Sequence, residues 1–393
     1  LAEWNEKNYF KVMDALNIKR ASVYPRATEY IGKMVELISG LMEKGHAYQS
    51  GGDVFFDALS FGAYGILSNK NLREDRFGSD EAPDGKKHPA DFALWKSAKP
   101  GEPSWDSPWG KGRPGWHIEC STMAVNLAGA TLDIHGGGYD LVFPHHENEI
   151  AQSECYTGKK FVRYWLHNGF VEMDKEKMSK SLGNVIAVSE ILEKHGPDAL
   201  RLFFLSAHYK MPVSYSDERV AESEKALDRF DVFFSKIEDI ARRTRGTGAR
   251  DSARELKAKI ISARDNFIAA MDDDFNTPQA IAEIFSLIKN CNSWIAGAES
   301  EAEEITADEA GVLREAAAVV RELGNVLGLF GAAGRHEEDD TAVDDLVELL
   351  IRVRKIARDK KDWAVSDMIR DELAALGFTI EDGQSGTTWR KRK

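Results

Sequence analysis

The sequence predicts an α/β fold: a parallel sheet carrying an irregular insertion, then a mostly helical second half and a small α+β unit at the end. Three observations predict it. Up to Asn184, short β-like runs alternate with amphipathic helices, the pattern of a parallel α/β sheet. From Ser189 to about Phe330, apolar residues recur at helical spacing almost without interruption. Beyond Gly331 to Asp340, a stretch poor in large apolar residues and the best linker candidate, two helical stripes precede a pair of β-like runs.

Taken in order, Ala27 to Lys44 reads as a helix, with Ile31, Met34, Val35, Ile38 and Leu41 on one face and Gly45 as its stop. Gly51 to Trp116 is rich in Gly, Pro, Asp and Trp, with short runs such as Val54-Phe55-Phe56, and reads as an irregular insertion with small sheets. Asp133-Ile134-His135 reads as a strand end meeting a glycine turn that a ligand can approach closely. Tyr164 to His167 and Gly169 to Met173 read as strands. The helical half is broken by the polar loop Arg242 to Gly248. Leu346, Leu349, Leu350, Val353 and Ile356 form one late stripe, and Val365, Met368, Ile369, Leu373 and Leu376 another. Gly377 sits where a helix C-cap belongs, and Phe378-Thr379-Ile380 with Thr387-Thr388-Trp389 reads as a closing hairpin.

Composition narrows the class. At 393 residues the chain holds two or three domains, and 42% hydrophobic with 30% charged residues suits a soluble protein. No apolar run approaches the roughly 18–20 residues that span a bilayer, so no membrane partner is expected. The start, Leu1-Ala2-Glu3-Trp4, resembles no secretory signal. Three cysteines (Cys120, Cys155, Cys291) without close spacing are no disulfide framework and fit a reducing cytoplasm or organelle interior. The net charge of −13 argues against broad nonspecific nucleic-acid binding. It is uneven: Ile351 to Lys393 holds 11 Lys and Arg against 7 Asp and Glu, a net of +4 that leaves −17 for the rest. The basic end, Trp389 to Lys393, fits a solvated tail or a phosphate contact equally.

Two strings carry the chemistry. In Phe143-Pro144-His145-His146-Glu147-Asn148-Glu149, Pro144 suits the first position of a helix. His145 and Glu149 are then i and i+4, about 6 Å apart at Cβ, close enough to share a metal ion. Cys120, in Gly115-Trp116-His117-Ile118-Glu119-Cys120, could add a thiolate, and a Cys, His, Glu set favours zinc. By spacing alone, such a His–Glu pair is more often a surface ion pair and a lone Cys more often a small buried hydrophobe. Three ligands also leave zinc one short of its usual four, the fourth being a substrate thiol, water or a residue outside the chain. The second string, Lys177-Met178-Ser179-Lys180-Ser181-Leu182-Gly183-Asn184, is a cationic loop able to close on ATP and neutralise charge on phosphate oxygens. As bare composition it would be a solvated loop; as an ordered string it is highly specific.

Other readings fail on their context. His135-Gly136-Gly137-Gly138 resembles an esterase oxyanion loop, yet no Gly-x-Ser-x-Gly elbow occurs in the chain. No P-loop is present. Gly110-Lys111-Gly112-Arg113-Pro114-Gly115 matches Gly-x-Gly-x-x-Gly only as a string, because a Pro- and Trp-rich stretch precedes it; a flexible loop is expected there.

With these motifs in order, and with Asp14 to Ile18, Pro25 to Thr28, Gly45 to Tyr48, Asp198 to Arg201, Asp274-Phe275-Asn276-Thr277-Pro278 and Gly386 to Arg390, the chain resembles the cysteinyl-tRNA synthetases over essentially its whole length. These are class I aminoacyl-tRNA synthetases. The resemblance implies a Rossmann-like catalytic domain (residues 1–23 and 113–185), a connective insertion (24–112), a stem-contact region (186–225), a helical anticodon-binding bundle (226–330) and a small anticodon-recognition unit (341–393). It implies zinc held by Cys120, His145 and Glu149, and a cysteine pocket lined by Trp116, His135 and Asp140. Lys180, supported by Lys177, would stabilise attack of the cysteine carboxylate on the ATP α-phosphate, with Met178, Ser179 and Ser181 completing the ATP loop and Mg2+ accompanying ATP. The partners implied are L-cysteine, ATP and tRNA(Cys), in a cytoplasmic monomer. The family's opening strand, with its fourth zinc-ligand cysteine and His-Ile-Gly-His-type signature, has no counterpart here, which points to a truncated sequence. The alternatives are a cysteine ligase for a small acceptor, such as mycothiol ligase, and a noncatalytic RNA-binding remnant.

Overall fold

The computed structural model describes residues 2–72, 85–173, 176–177, 185–301, 304–330, 337–376, 378–383 and 386–391. Helix α1 (Ala2–Ala15) buries only Val12. A short 3-10 turn leads into α2 (Ile31–Glu43), which buries Met34, Leu37, Ile38 and Leu41, the expected face, and ends before Gly45 at φ +80°. Four antiparallel strands follow in sequential order: β1 (Ala47–Ser50), β2 (Asp53–Phe56), β3 (Phe92–Ser97) and β4 (Gly112–Pro114). Val54, Phe56, Phe92, Leu94 and Trp95 pack in one core with α2 and with Ile118 of α3 (Trp116–Ala128).

The segment expected as a flexible loop, Gly110 to Gly115, is in part strand β4. It pairs through Trp95↔Pro114, Lys96↔Arg113 and Ser97↔Gly112. A proline is tolerated there because β4 is the edge of its sheet. Gly115 then turns the chain into α3 against β3. A Cβ on it would sit 1.9 Å from the carbonyl oxygen of Ala93, so only glycine lets helix and strand approach this closely. Gly115→Ala should cost about 3 kcal/mol, the upper end for overpacking. Gly32→Ala, where a Cβ meets nothing within 4 Å inside a helix, should gain about 0.5–1 kcal/mol. Urea unfolding of both variants checks the pair.

The parallel part is built from two crossovers. Strand β5 (Leu132–Gly138) pairs in parallel with β6 (Val162–Asn168), from Leu132↔Val162 to Gly138↔Asn168, through helix α4 (Glu147–Thr157). Strand β7 (Val171–Met173) pairs in parallel with β9 (Val213–Tyr215) through α5 (Val188–Leu192) and α6 (Pro197–Leu205), and antiparallel with β8 (Glu176–Lys177). Strand β9 interrupts the stretch expected to be helical throughout; three residues are too few to show a strand alternation.

Helices α7 (Asp217–Arg243), α8 (Asp251–Asp272), α9 (Thr277–Ser300) and α10 (Ala307–Val326) share one core containing Phe230, Phe233, Phe267, Ile284, Cys291 and Leu313. Helix α7 runs unbroken through residues 225 and 226. The α8–α9 turn places Asp274 and Phe275 at φ +55° and +56°, a conformation side-chain-bearing residues seldom adopt. Contacts hold it there: Tyr209 donates its hydroxyl to Asp274 at 2.8 Å and Thr277 donates to the Leu205 carbonyl at 2.7 Å. The bundle is thereby tied to the connection between α6 and β9.

Helices α11 (Glu337–Asp359) and α12 (Trp363–Ala375) precede the hairpin of β10 (Phe378–Gly383) and β11 (Gly386–Lys391). The linker candidate is thus helical from Glu337. The apolar stripe from Leu346 to Ile356 faces outward, Leu346 being 59% and Ile356 55% exposed, while Val347, Arg354 and Ala357 are buried on the adjoining face. On α12, Ile369 and Leu373 are buried but Met368 is exposed, as is Leu376 just past the helix end. Gly377 lies outside the described residues. Among the described residues no helix is long and apolar enough to cross a membrane.

Candidate metal centre

Strand β5, helix α3 and helix α4 converge on one cluster. After Gly138, the 3-10 turn Tyr139–Leu141 leads into a short π-helical turn, Val142–His146, in which Phe143 is extended (φ −136°, ψ 133°). The chain resumes helical backbone at Pro144, as its ring favours, so His145 and Glu149 do fall one turn apart on one face. Cys120 reaches them from α3 and His135 from β5.

The ligating atoms of Cys120, His145 and Glu149 lie within 4.8 Å of one another. His145 Nε2 is 2.8 Å from Glu149 Oε1, and His135 Nε2 is 3.1 Å from Oε2. Glu149 is fully buried, yet neither carboxylate oxygen has a well-directed hydrogen bond among the described residues. A buried carboxylate so placed is costly unless a cation joins it. The neighbours point the same way. Burial, with the Glu149 charge beside it, pushes the Cys120 thiol up to about 12, so a thiolate there needs a cation. Burial, and then His145, lowers His117 to about 4, and burial with the surrounding imidazoles lowers His146 to about 3. Burial also lowers His135, against the pull of Glu149. An imidazole, a thiol and a carboxylate without a directed hydrogen bond make a donor set that zinc fits.

The rings around the cluster are held from outside. His117 Nδ1 lies 2.9 Å from His145 Nδ1, which leaves His145 Nε2 toward Glu149. The Trp116 ring is 4.3 Å from that of His145, although Trp116 is itself 57% exposed. Trp165 sits 4.7 Å from His135 and 4.9 Å from His146, and His146 Nδ1 meets His167 Nε2 at 2.7 Å. Gly137 allows this: a Cβ there would lie 2.8 Å from His146 Cε1.

The expected site residues thus divide. Cys120, His145, Glu149, Trp116 and His135 come together. Asp140 is exposed on the 3-10 turn, its carboxylate folded against Gly138. Lys177 lies on β8, paired with Glu172, and Met178, Ser179, Lys180 and Ser181 lie outside the described residues. Sequence reasoning gave no role to His117, His146, Glu147, Trp165 or His167. All five lie in the motif stretches or the Tyr164 to His167 run, but only tertiary packing reveals their partners.

The chain matches three family models: tRNA synthetases class I (C) catalytic domain over residues 1–225, the DALR domain over 266–331, and the cysteinyl-tRNA ligase anticodon binding domain over 340–390. It is 46% identical to a cysteine–tRNA ligase of Moorella thermoacetica, covering 100% of this chain and 82% of that protein. It is 45% identical to a cysteine–tRNA ligase of Heliobacterium modesticaldum, covering 98% and 80%. Among solved structures, the fold is similar to Mycobacterium tuberculosis methionyl-tRNA synthetase with methionyl-adenylate (TM-score 0.61, 17% identity, 87% of this chain and 80% of that one). It is also similar to a structure described as an arginyl-tRNA synthetase from Campylobacter jejuni (TM-score 0.53, 15% identity, 84% and 68%). The chain belongs to the cysteine–tRNA ligases, a family of class I aminoacyl-tRNA synthetases.

Proposed function

We propose that the chain activates L-cysteine with ATP and Mg2+ to cysteinyl adenylate and transfers the acyl group to the 3′-terminal ribose of tRNA(Cys). The observation that carries this reading is the cluster of partly buried Cys120 with buried His145 and Glu149, whose carboxylate has no directed hydrogen bond among the described residues. Zinc held by these three residues would supply a soft Lewis acid for which a thiolate is a far better ligand than a hydroxyl, separating cysteine from serine. The chain's own residues orient the substrate. Trp116 and His135 flank the cluster and would wall the amino acid, with Asp140 at the rim to receive its ammonium. Trp165 and the paired imidazoles behind keep water out.

Lys180 and Lys177 would neutralise charge on the α-phosphate as the cysteine carboxylate oxygen attacks and pyrophosphate departs. Residues 1–23 and 113–185 serve as the catalytic part in this reading. Residues 24–112 are the connective insertion, 186–225 the stem contact, and 226–330 with 341–393 the anticodon-reading parts. The match to an anticodon-binding domain supports tRNA over a small acceptor. We place the chain in the cytoplasm as a monomer. The test is ATP–pyrophosphate exchange: L-cysteine should support it and L-serine at the same concentration should not. Equal exchange with serine, or none with cysteine in a zinc-loaded chain, would overturn the reading.

A further inference from the structure

We infer that Glu147 is a positioning residue for the metal centre, through which the connective insertion fixes the helix turn that carries two of its ligands. The inference rests on the metal reading above. On an α-helix, residues 145 and 149 share a face, whereas 147 points to the opposite side. Glu147 faces the insertion there, fully buried. Its Oε1 accepts the Gly65 amide at 2.8 Å; its Oε2 accepts the Ser68 amide at 2.8 Å and the Ser68 hydroxyl at 2.7 Å.

The next residue repeats the attachment: Asn148 Oδ1, also buried, accepts the Tyr64 hydroxyl at 2.5 Å. Lys70, at the end of the same loop, places its ammonium 6.0 Å from the Phe143 ring, on the segment leading into the helix. Leu67 packs in the cluster of Ile150, Phe161 and Val162. The loop is therefore fastened to residues 143–150 by a carboxylate, an amide, a ring and an apolar contact.

The loop itself is a tight turn that only glycine permits. Gly65 has φ +97°, and a Cβ on it would lie 1.9 Å from the Lys70 carbonyl oxygen. The Lys70 amide closes the turn on the Gly65 carbonyl at 3.1 Å. This leaves the amides of Gly65 and Ser68 turned toward one carboxylate, an anion-binding arrangement that Glu147 fills from within the chain. Hydrogen bonds to a buried charge are strong and directional. They set the rotation and height of the first turn of α4, and with it the places of His145 and Glu149. Outer residues that orient metal ligands typically change metal affinity by about 10–100-fold when replaced.

The experiment is a chelator-competition titration of zinc into the metal-free chain, run on the parent, Glu147→Gln, Ser68→Ala and the bundle variant Ile284→Ala, with thermal unfolding of each metal-free form. Glu147→Gln removes the charge and turns an amide donor toward donors. It should weaken zinc binding by about 10–100-fold. Ser68→Ala removes one bond of three and should weaken it by several-fold, on the order of 3–10. Ile284→Ala should unfold at lower temperature with zinc affinity unchanged, separating loss of position from loss of stability. Zinc affinity within twofold of the parent in both Glu147→Gln and Ser68→Ala would overturn the inference while leaving the metal reading intact. If Glu147→Gln does not fold, Ser68→Ala alone decides by the same criterion. A parent chain that binds no zinc would overturn the metal reading, and this inference with it.

Discussion

Cys120→Ser and Glu149→Gln should each lower zinc affinity by two to three orders of magnitude and abolish cysteine-dependent pyrophosphate exchange. Structural zinc sites bind with about 10–16 kcal/mol shared among four ligands, about 3 kcal/mol or more for each, and 1.4 kcal/mol is tenfold. The two variants should nevertheless differ in the metal-free state. Glu149 is fully buried and, among the described residues, neither oxygen has a directed hydrogen bond, so exchanging its charge for a neutral amide removes a poorly satisfied buried ion. Metal-free Glu149→Gln should unfold at the parent's temperature or above it. Metal-free Cys120→Ser should unfold slightly below, having traded a thiol for a more strongly hydrated hydroxyl in a partly buried place. Calorimetry with and without zinc reads both effects. A metal-free Glu149→Gln that melts well below the parent would mean the carboxylate is structural rather than held ready for a cation.

Arg250→Ala should have the largest effect away from the centre. Glu309, 1% exposed, accepts from Arg250 Nε at 2.7 Å, from Arg250 Nη2 and the Arg250 amide at 3.0 Å, and from the Thr306 amide at 3.1 Å. The last belongs to the capping box that starts α10. Removing the guanidinium strands a buried carboxylate, costing about 3 kcal/mol, the lower end because Arg250 is partly exposed. The dependence on pH has a definite sign. Burial raises the Glu309 pKa, but the Arg250 and backbone hydrogen bonds outweigh it and hold the group below its ordinary 4.5. Its contribution is therefore complete above that value and is lost as pH falls through the lower folded value. The gap in unfolding free energy between parent and Arg250→Ala should be widest near neutrality and close in acid. A gap constant down to pH 3 would show that the loss comes from packing on Trp294 (4.9 Å from the guanidinium) and not from charge.

How far the sequence could be read depended on the range over which each feature is specified. Helix α2 and the pairing of His145 with Glu149 were legible because helical spacing is a local rule, and Pro144 marks where the helix begins. Cys120 was a possible partner by its chemistry, but only the family resemblance implied it as a ligand, since nothing local says that α3 lies against α4. His117 and His167 stayed invisible because each acquires its role from a ring brought up by another element. Strand β4 was hidden by its proline and by the glycines in and around it, which read as a loop until β3 is seen beside it. The α11 stripe shows the opposite limit: Leu346 to Ile356 has helical periodicity, but Val347, Arg354 and Ala357 are the buried ones. Periodicity identifies a helix, and which face is covered depends on what packs against it.

X-ray absorption at the zinc edge, with and without amino acid, addresses the centre most directly. In the zinc-loaded chain the spectrum should contain one sulfur neighbour at about 2.3 Å, the Cys120 thiolate, with nitrogen and oxygen at about 2.0–2.2 Å. L-cysteine should add one sulfur at the same distance, and L-serine should add none. An unchanged sulfur count on adding cysteine, or no sulfur in the parent, would contradict a thiol-selecting centre at Cys120, His145 and Glu149.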